Sequence, residues 1–175
     1  MKRTEYKAID VARHIVNYTN EQGKTVSNLK LQKLLYFVQG FFLALLDRPC
    51  FSDEIEAWDF GLVVPVVYRN FKEFGSNSIP KVTTVYDCEK ETFIEYIDSI
   101  DELDKRLINA ITDNMSKYSA TRLVEITHNQ APWKKVYKPY MNNIISTDSI
   151  KECFEEFVNE WYNRKSYSEC FKTIC

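Results

Sequence analysis

The chain has 175 residues and a net charge of −2, from 23 basic and 25 acidic side chains, and 45% of it is apolar. That charge argues against a protein gripping nucleic acid chiefly through its phosphates, which calls for a basic excess. The size suits one domain that needs no metal or disulfide staple. With 11 Tyr, 11 Phe and 3 Trp but only 4 Gly and 5 Pro, the composition favours helices with an aromatic core over a many-turned β architecture.

In chain order, residues 5–22 read as a first helix, because Ala8, Val11, Ala12, Ile15, Val16 and Thr19 recur at helical spacing and Gly23 supplies a stop. Ser27 or Asn28 can cap the next helix, Leu29 to Leu46, whose main stripe is Leu31, Leu34, Leu35, Val38, Phe42 and Leu45. Its other face is also apolar or small beyond Lys33, at Phe37, Gly40, Phe41 and Ala44, and a helix apolar all round is a buried one. The reading is therefore a mainly α domain built around a buried central helix. The apolar run Leu34–Leu46, 13 residues interrupted by Gln39, is too short for a bilayer core of ~30 Å.

A turn over 47–52 precedes an alternating stretch, 54–60, that reads as a short strand ended by Gly61. Pro65 opens a third helix to Phe74, with Val64, Val67, Tyr68, Phe71 and Phe74 inward. The β-branched segment 81–87 is expected to pair with 54–60 in a small two-stranded element. Further helices are expected at 93–97, at 103–118 with Leu103, Leu107, Ala110, Ile111 and Met115 inward, from the Ser119 cap to His128, and at 133–137 after Pro132. Ser149-x-x-Glu152 reads as a capping box for the last helix, with Ile150, Phe154, Phe157, Val158 and Trp161 as its stripe. One domain over 1–164 with a tail over 165–175 is the expected division.

Catalytic signatures are sparse. Cys50, Cys88, Cys153, Cys170 and Cys175 are odd in number, irregularly spaced and without a C-x-x-C pair, which reads as free thiols in a reducing cytosol rather than a zinc site or disulfide framework. No secretory signal is read in the basic N-terminus, because no apolar stretch follows it. Nucleophile-elbow, phosphate-loop and His-Glu-x-x-His patterns are absent from the sequence. No metal or cofactor is expected, and an enzyme would have to work through His128 with a nearby thiol or carboxylate. Gln39, inside the apolar run, needs partners and is expected to hold a neighbouring backbone.

Four blocks carry a family resemblance: residues 10–15 (DVARHI), 28–40 (NLKLQKLLYFVQG), 56–68 (EAWDFGLVVPVVY) and 123–133 (LVEITHNQAPW). In this order the chain resembles the Panacea antitoxin domain, also described as SocA-like or phage-associated GepA-like. Leu62 departs from the proline usual in that family's Gly-Pro-Val turn. The resemblance implies a cytoplasmic antitoxin that binds a small toxin directly and, in the SocA-like branch, delivers it to the ClpXP protease. Within these blocks Lys30, Lys33, Trp58, Tyr68, His128 and Trp133 are the candidate toxin-contacting residues, being cationic, imidazole or aromatic groups of which Trp and Tyr often dominate interfaces. The alternative is a DNA-binding regulator of a phage or mobile-element operon, resting on Lys24, Lys30 and Lys33.

Overall fold

The computed structural model describes residues 5–163, the side chains of 160–163 excepted. The tail from 165 onward, the outer limits of the expected domain and the Trp161 side chain therefore lie outside the described residues, as do Cys170 and Cys175. Seven helices and five short strands are described: α1 (Ala8–Glu21), α2 (Asn28–Leu46), β1 (Ile55–Trp58), β2 (Gly61–Val63), α3 (Pro65–Phe71) with a 3-10 turn (Lys72–Phe74), β3 (Thr84–Asp87), β4 (Thr92–Glu95), α4 (Glu102–Met115), α5 (Ala120–Asn129), α6 (Ala131–Val136), β5 (Asn143–Ile145) and α7 (Thr147–Asn163). Mainly α is the architecture, with a β component larger than expected.

Helix α2 is the centre. Ser27 accepts from the Lys30 N–H to start it, and every residue from Leu31 to Leu43 is buried. Helices α1, α3, α4, α5 and α7 all pack on it. Among the described residues it is the one helix long and apolar enough to cross a membrane, and most of it lies inside the protein. Its last turn leaves the core, so Leu45, assigned to the stripe, is 43% exposed. At Gly40 the missing side chain lets the Phe154 ring lie flush on the helix: a Cβ there would fall 2.3 Å from ring carbons. Phe154 in turn meets Tyr36, Phe37 and Phe41 edge to face, which ties α7 to α2. Gln39 behaves as expected, accepting from the Cys50 and Phe51 N–H groups and donating to the Phe51 carbonyl.

The strands depart most from expectation. β1 pairs with β2 and β5, giving a three-stranded antiparallel sheet of order β2-β1-β5, and does not pair with the 81–87 segment. That segment supplies β3, whose partner β4 occupies the 93–97 stretch expected as helix. A tight turn at residues 88–91 brings the two together, a pairing local in sequence and so cheaper in chain entropy than closure onto β1. β5 had no strand signal because it is three residues long. In α4 the buried face runs through Asp104, Ile108, Ile111, Thr112 and Met115, while Leu103 is 57% exposed and Ala110 is exposed. A part-buried ion pair holds the Asp104 face inward: Arg48 donates to both Asp104 oxygens at 2.7 Å, and Tyr6 donates to the same carboxylate. The last helix begins two residues before the expected capping box, with Ser146 accepting from the Ser149 N–H.

Candidate partner-binding site

The β1–β2 hairpin turns in two residues, Asp59 and Phe60, and Gly61 follows at φ 95°. Successive side chains of its strands face opposite ways. Ile55, Ala57, Leu62 and Ile145 enter the core, whereas Glu56, Trp58 and Ile144 are on the outward face, with Ile144 paired to Glu56 in register.

Two groups of side chains clamp this hairpin. From α2, Lys33 Nζ donates to the Leu62 carbonyl at 2.9 Å, and Gln32 Oε1 accepts from the Val64 N–H at 2.9 Å. Asn28 continues the row, accepting from Gln32 Nε2 and donating to the Tyr68 carbonyl. From the other side comes a ladder of rings. His128 stacks on Trp133 at 4.0 Å between centroids, and Trp133 stacks on Tyr137 at 4.1 Å. The Trp133 indole N–H donates to the Trp58 carbonyl at 3.2 Å, and the Tyr137 hydroxyl donates to Asp59 at 2.9 Å. The ladder is set by α5, by the Gln130 junction and by Pro132 in the first turn of α6. Gln130 is itself pinned by the Tyr36 hydroxyl of α2.

Gly61 lies where these groups converge. A Cβ on it would sit 2.9 Å from Lys33 Nζ and 3.2 Å from His128 Nε2, so the lysine head occupies the space a side chain would need. Lys33 is fully buried, and loss of hydration pushes its amine down to about 7. Burial also lowers the His128 imidazole, helped by the Lys33 charge, and its Nε2 is buried without a hydrogen-bond partner. At this point His128 faces Gly61 and the Lys33 head and stacks on the Trp133 indole.

Outside the hairpin, Trp58 and Tyr68 meet edge to face at 5.0 Å and Trp58 Nε1 donates to Glu56. They border a groove of about 540 Å³, whose lining includes Leu29, Gln32, Phe60, Val63, Lys72 and Asn142. Tyr68, expected inward, is 37% exposed at this rim. Phe60, in that lining, is 74% exposed; Tyr140 (92%) and Met141 (60%), which precede the lining residue Asn142 in the chain, and Ile144 (53%), on β5 opposite Glu56, are exposed as well.

Of the six residues singled out from sequence, five thus converge on the hairpin: Trp58 and Tyr68 at the groove, Lys33, His128 and Trp133 beneath it. Lys30 does not join them. Its ammonium donates to the Ser116 carbonyl at the end of α4, with burial as the main cause of its lowered amine pKa. Gln32 stood in the polar group at the mouth of the apolar helix without being chosen as a contact residue, and sequence reasoning missed Tyr137 and the exposed Phe60, Tyr140, Met141 and Ile144.

The fold and site are those of a helical domain presenting a braced hairpin with an apolar outer face. The family model described as Antitoxin SocA-like, Panacea domain matches residues 31–134, more than half of the chain, and the chain belongs to that family. Antitoxin SocA of Caulobacter vibrioides (strain NA1000 / CB15N) is 38% identical over 109 residues, covering 62% of this chain and 58% of that relative, so the match spans somewhat over half of the relative's length. No solved structure matches.

Proposed function

We propose that this protein is an antitoxin that neutralises a small toxin protein by binding it directly on the outer face of the β1–β2 hairpin. One observation carries the reading: Trp58, Tyr68 and Phe60, the last of them 74% exposed, line one groove together with Leu29 and Val63. Apolar side chains gathered in one place at a surface mark contact sites, and Trp and Tyr are frequent anchors there. The rigidity of the hairpin suits this role, because a preformed surface loses little conformational entropy when a partner docks. Family membership and the relative named Antitoxin SocA support the toxin-directed reading.

A second step is proposed for the same capture: presentation of the bound toxin to the ClpXP protease in the cytoplasm. The competing DNA-binding reading keeps one exposed lysine of the three that first suggested it, Lys24, itself paired with Asp113, since Lys30 holds the end of α4 and Lys33 is buried under the hairpin.

The test is co-expression in a bacterial host with the reading frame beside its gene. Growth arrest by that frame alone, relieved by this protein but not by its Trp58→Ala or Phe60→Ser variants, is the expected result. Persistent arrest with the wild-type protein, or equal rescue by both variants, would defeat the reading. The toxin's half-life with and without ClpXP then separates simple sequestration from delivery.

A further inference from the structure

Among the described residues β2 is an edge strand, with β1 on one side and no strand on the other. Backbone groups on an uncovered edge need partners. Here α2 furnishes them from side chains: Lys33 serves the Leu62 carbonyl and Gln32 the Val64 N–H. A pair of helix side chains thus stands where a further strand would. The lysine head also fills the space left by Gly61, which lies opposite Trp58 in the strand pairing. Lys33 and Gln32 together therefore hold β2 on α2, and the lysine is the one whose head also fills the Gly61 space.

Lysine is a poor choice for stability alone. It is 0% exposed, and one carbonyl at 2.9 Å does not offset desolvation of an amine at that depth. An apolar side chain of equal length would fill the space without that penalty, but it would leave the Leu62 carbonyl free to move away from α2.

We propose that Lys33 is a positioning residue for partner capture, holding the hairpin in the placement that makes Trp58, Phe60 and Tyr68 frame the groove, at the expense of fold stability. This rests on the antitoxin reading and specifies which buried group sets the binding surface. Lys33 touches no partner; it acts through the Leu62 carbonyl and Gly61.

The experiment compares wild type with Lys33→Met, Lys33→Gln and Trp58→Ala. It measures thermal unfolding, affinity for the purified product of the adjacent reading frame, and the indole N–H resonances of Trp58 and Trp133. Lys33→Met is expected to unfold cooperatively at or above the wild-type temperature, to bind about tenfold more weakly, as loss of a well-placed anchor does, and to shift the Trp133 indole that donates to Trp58. A residue that merely supports the fold would instead lose stability and affinity together. Should Lys33→Met not fold, Lys33→Gln carries the same expectation of weakened binding with a shifted indole. Wild-type affinity with unmoved indoles in a folded Lys33 variant overturns the proposal and leaves the groove reading standing. Undiminished binding by Trp58→Ala removes the groove reading itself, and the proposal with it.

Discussion

Replacing Lys33 by methionine gives a stability change whose sign and pH course follow from burial. In the fold the amine titrates at about 7, against 10.5 when solvated. Between those values the unfolded chain carries a proton that the folded chain lacks, so stability rises with pH, and the penalty is full below the folded value. For the wild type this gives a gain of about 2 kcal/mol from pH 7 to pH 9 that a methionine variant lacks. At pH 7 the lysine's penalty is roughly 4 kcal/mol. Removing it exposes the variant only to the loss of the Leu62 carbonyl's partner, about 1–3 kcal/mol. Lys33→Met is then more stable at pH 7 by roughly 1–3 kcal/mol, or about 2–12 °C in Tm for a chain of this size. Urea or thermal melts of both proteins at pH 7, 8 and 9 provide the comparison. Groups remote from Lys33 cancel in the difference; His128, whose imidazole the Lys33 charge helps to lower, does not, and the comparison of pH 8 with pH 9, above the ordinary imidazole range, is the least affected by it. Wild-type and variant curves that run parallel across the range would refute the argument, because the lysine would then keep its solvated titration.

Gly61→Ala meets both a positive φ and the Lys33 head, and is expected to lower stability by about 2–4 kcal/mol in denaturant melts. Gly40→Ala improves helix propensity by about 1 kcal/mol, yet drives a methyl into the Phe154 ring, so a net loss of about 1–2 kcal/mol is expected; the companion change Phe154→Leu should recover part of it. Asp104→Asn removes the charge partner of Arg48, whose side chain is partly exposed, and is expected to cost about 1–3 kcal/mol, read by thermal unfolding. Tyr140→Ser and Met141→Ser, at exposed positions, should leave stability within about 0.5 kcal/mol of wild type while weakening rescue in the co-expression assay.

The central helix was legible because its apolar residues cover every face, a pattern that only burial explains. The helix boundaries at Ser27, Gly23, Pro65, Ser119 and Pro132 were legible for the same kind of reason, since caps, prolines and a positive-φ glycine act on neighbours a few residues away. The strand partners were not. Alternation at 54–60 indicates a strand but carries no address, and the choice between residues 61–63, 81–87 and 143–145 depends on how the helices leave room. In α4, periodicity placed Leu103 inside, but the Arg48–Asp104 pair, joining residues 56 positions apart, holds the Asp104 face inward instead.

The candidate site divides along the same line. Trp58, Tyr68, His128 and Trp133 could be picked out by residue type, and family resemblance gathered them into blocks. Sequence alone determined a helical domain with an apolar centre and the local stops that punctuate it, because those signals are short-range and periodic. Tertiary structure alone decided that Lys33 lies beneath the hairpin while Lys30, three residues earlier, reaches α4 instead. Positions three apart on a helix lie on nearly the same face, one turn apart along the axis, so their different fates come from what packs at each level, and only the folded chain supplies those surroundings.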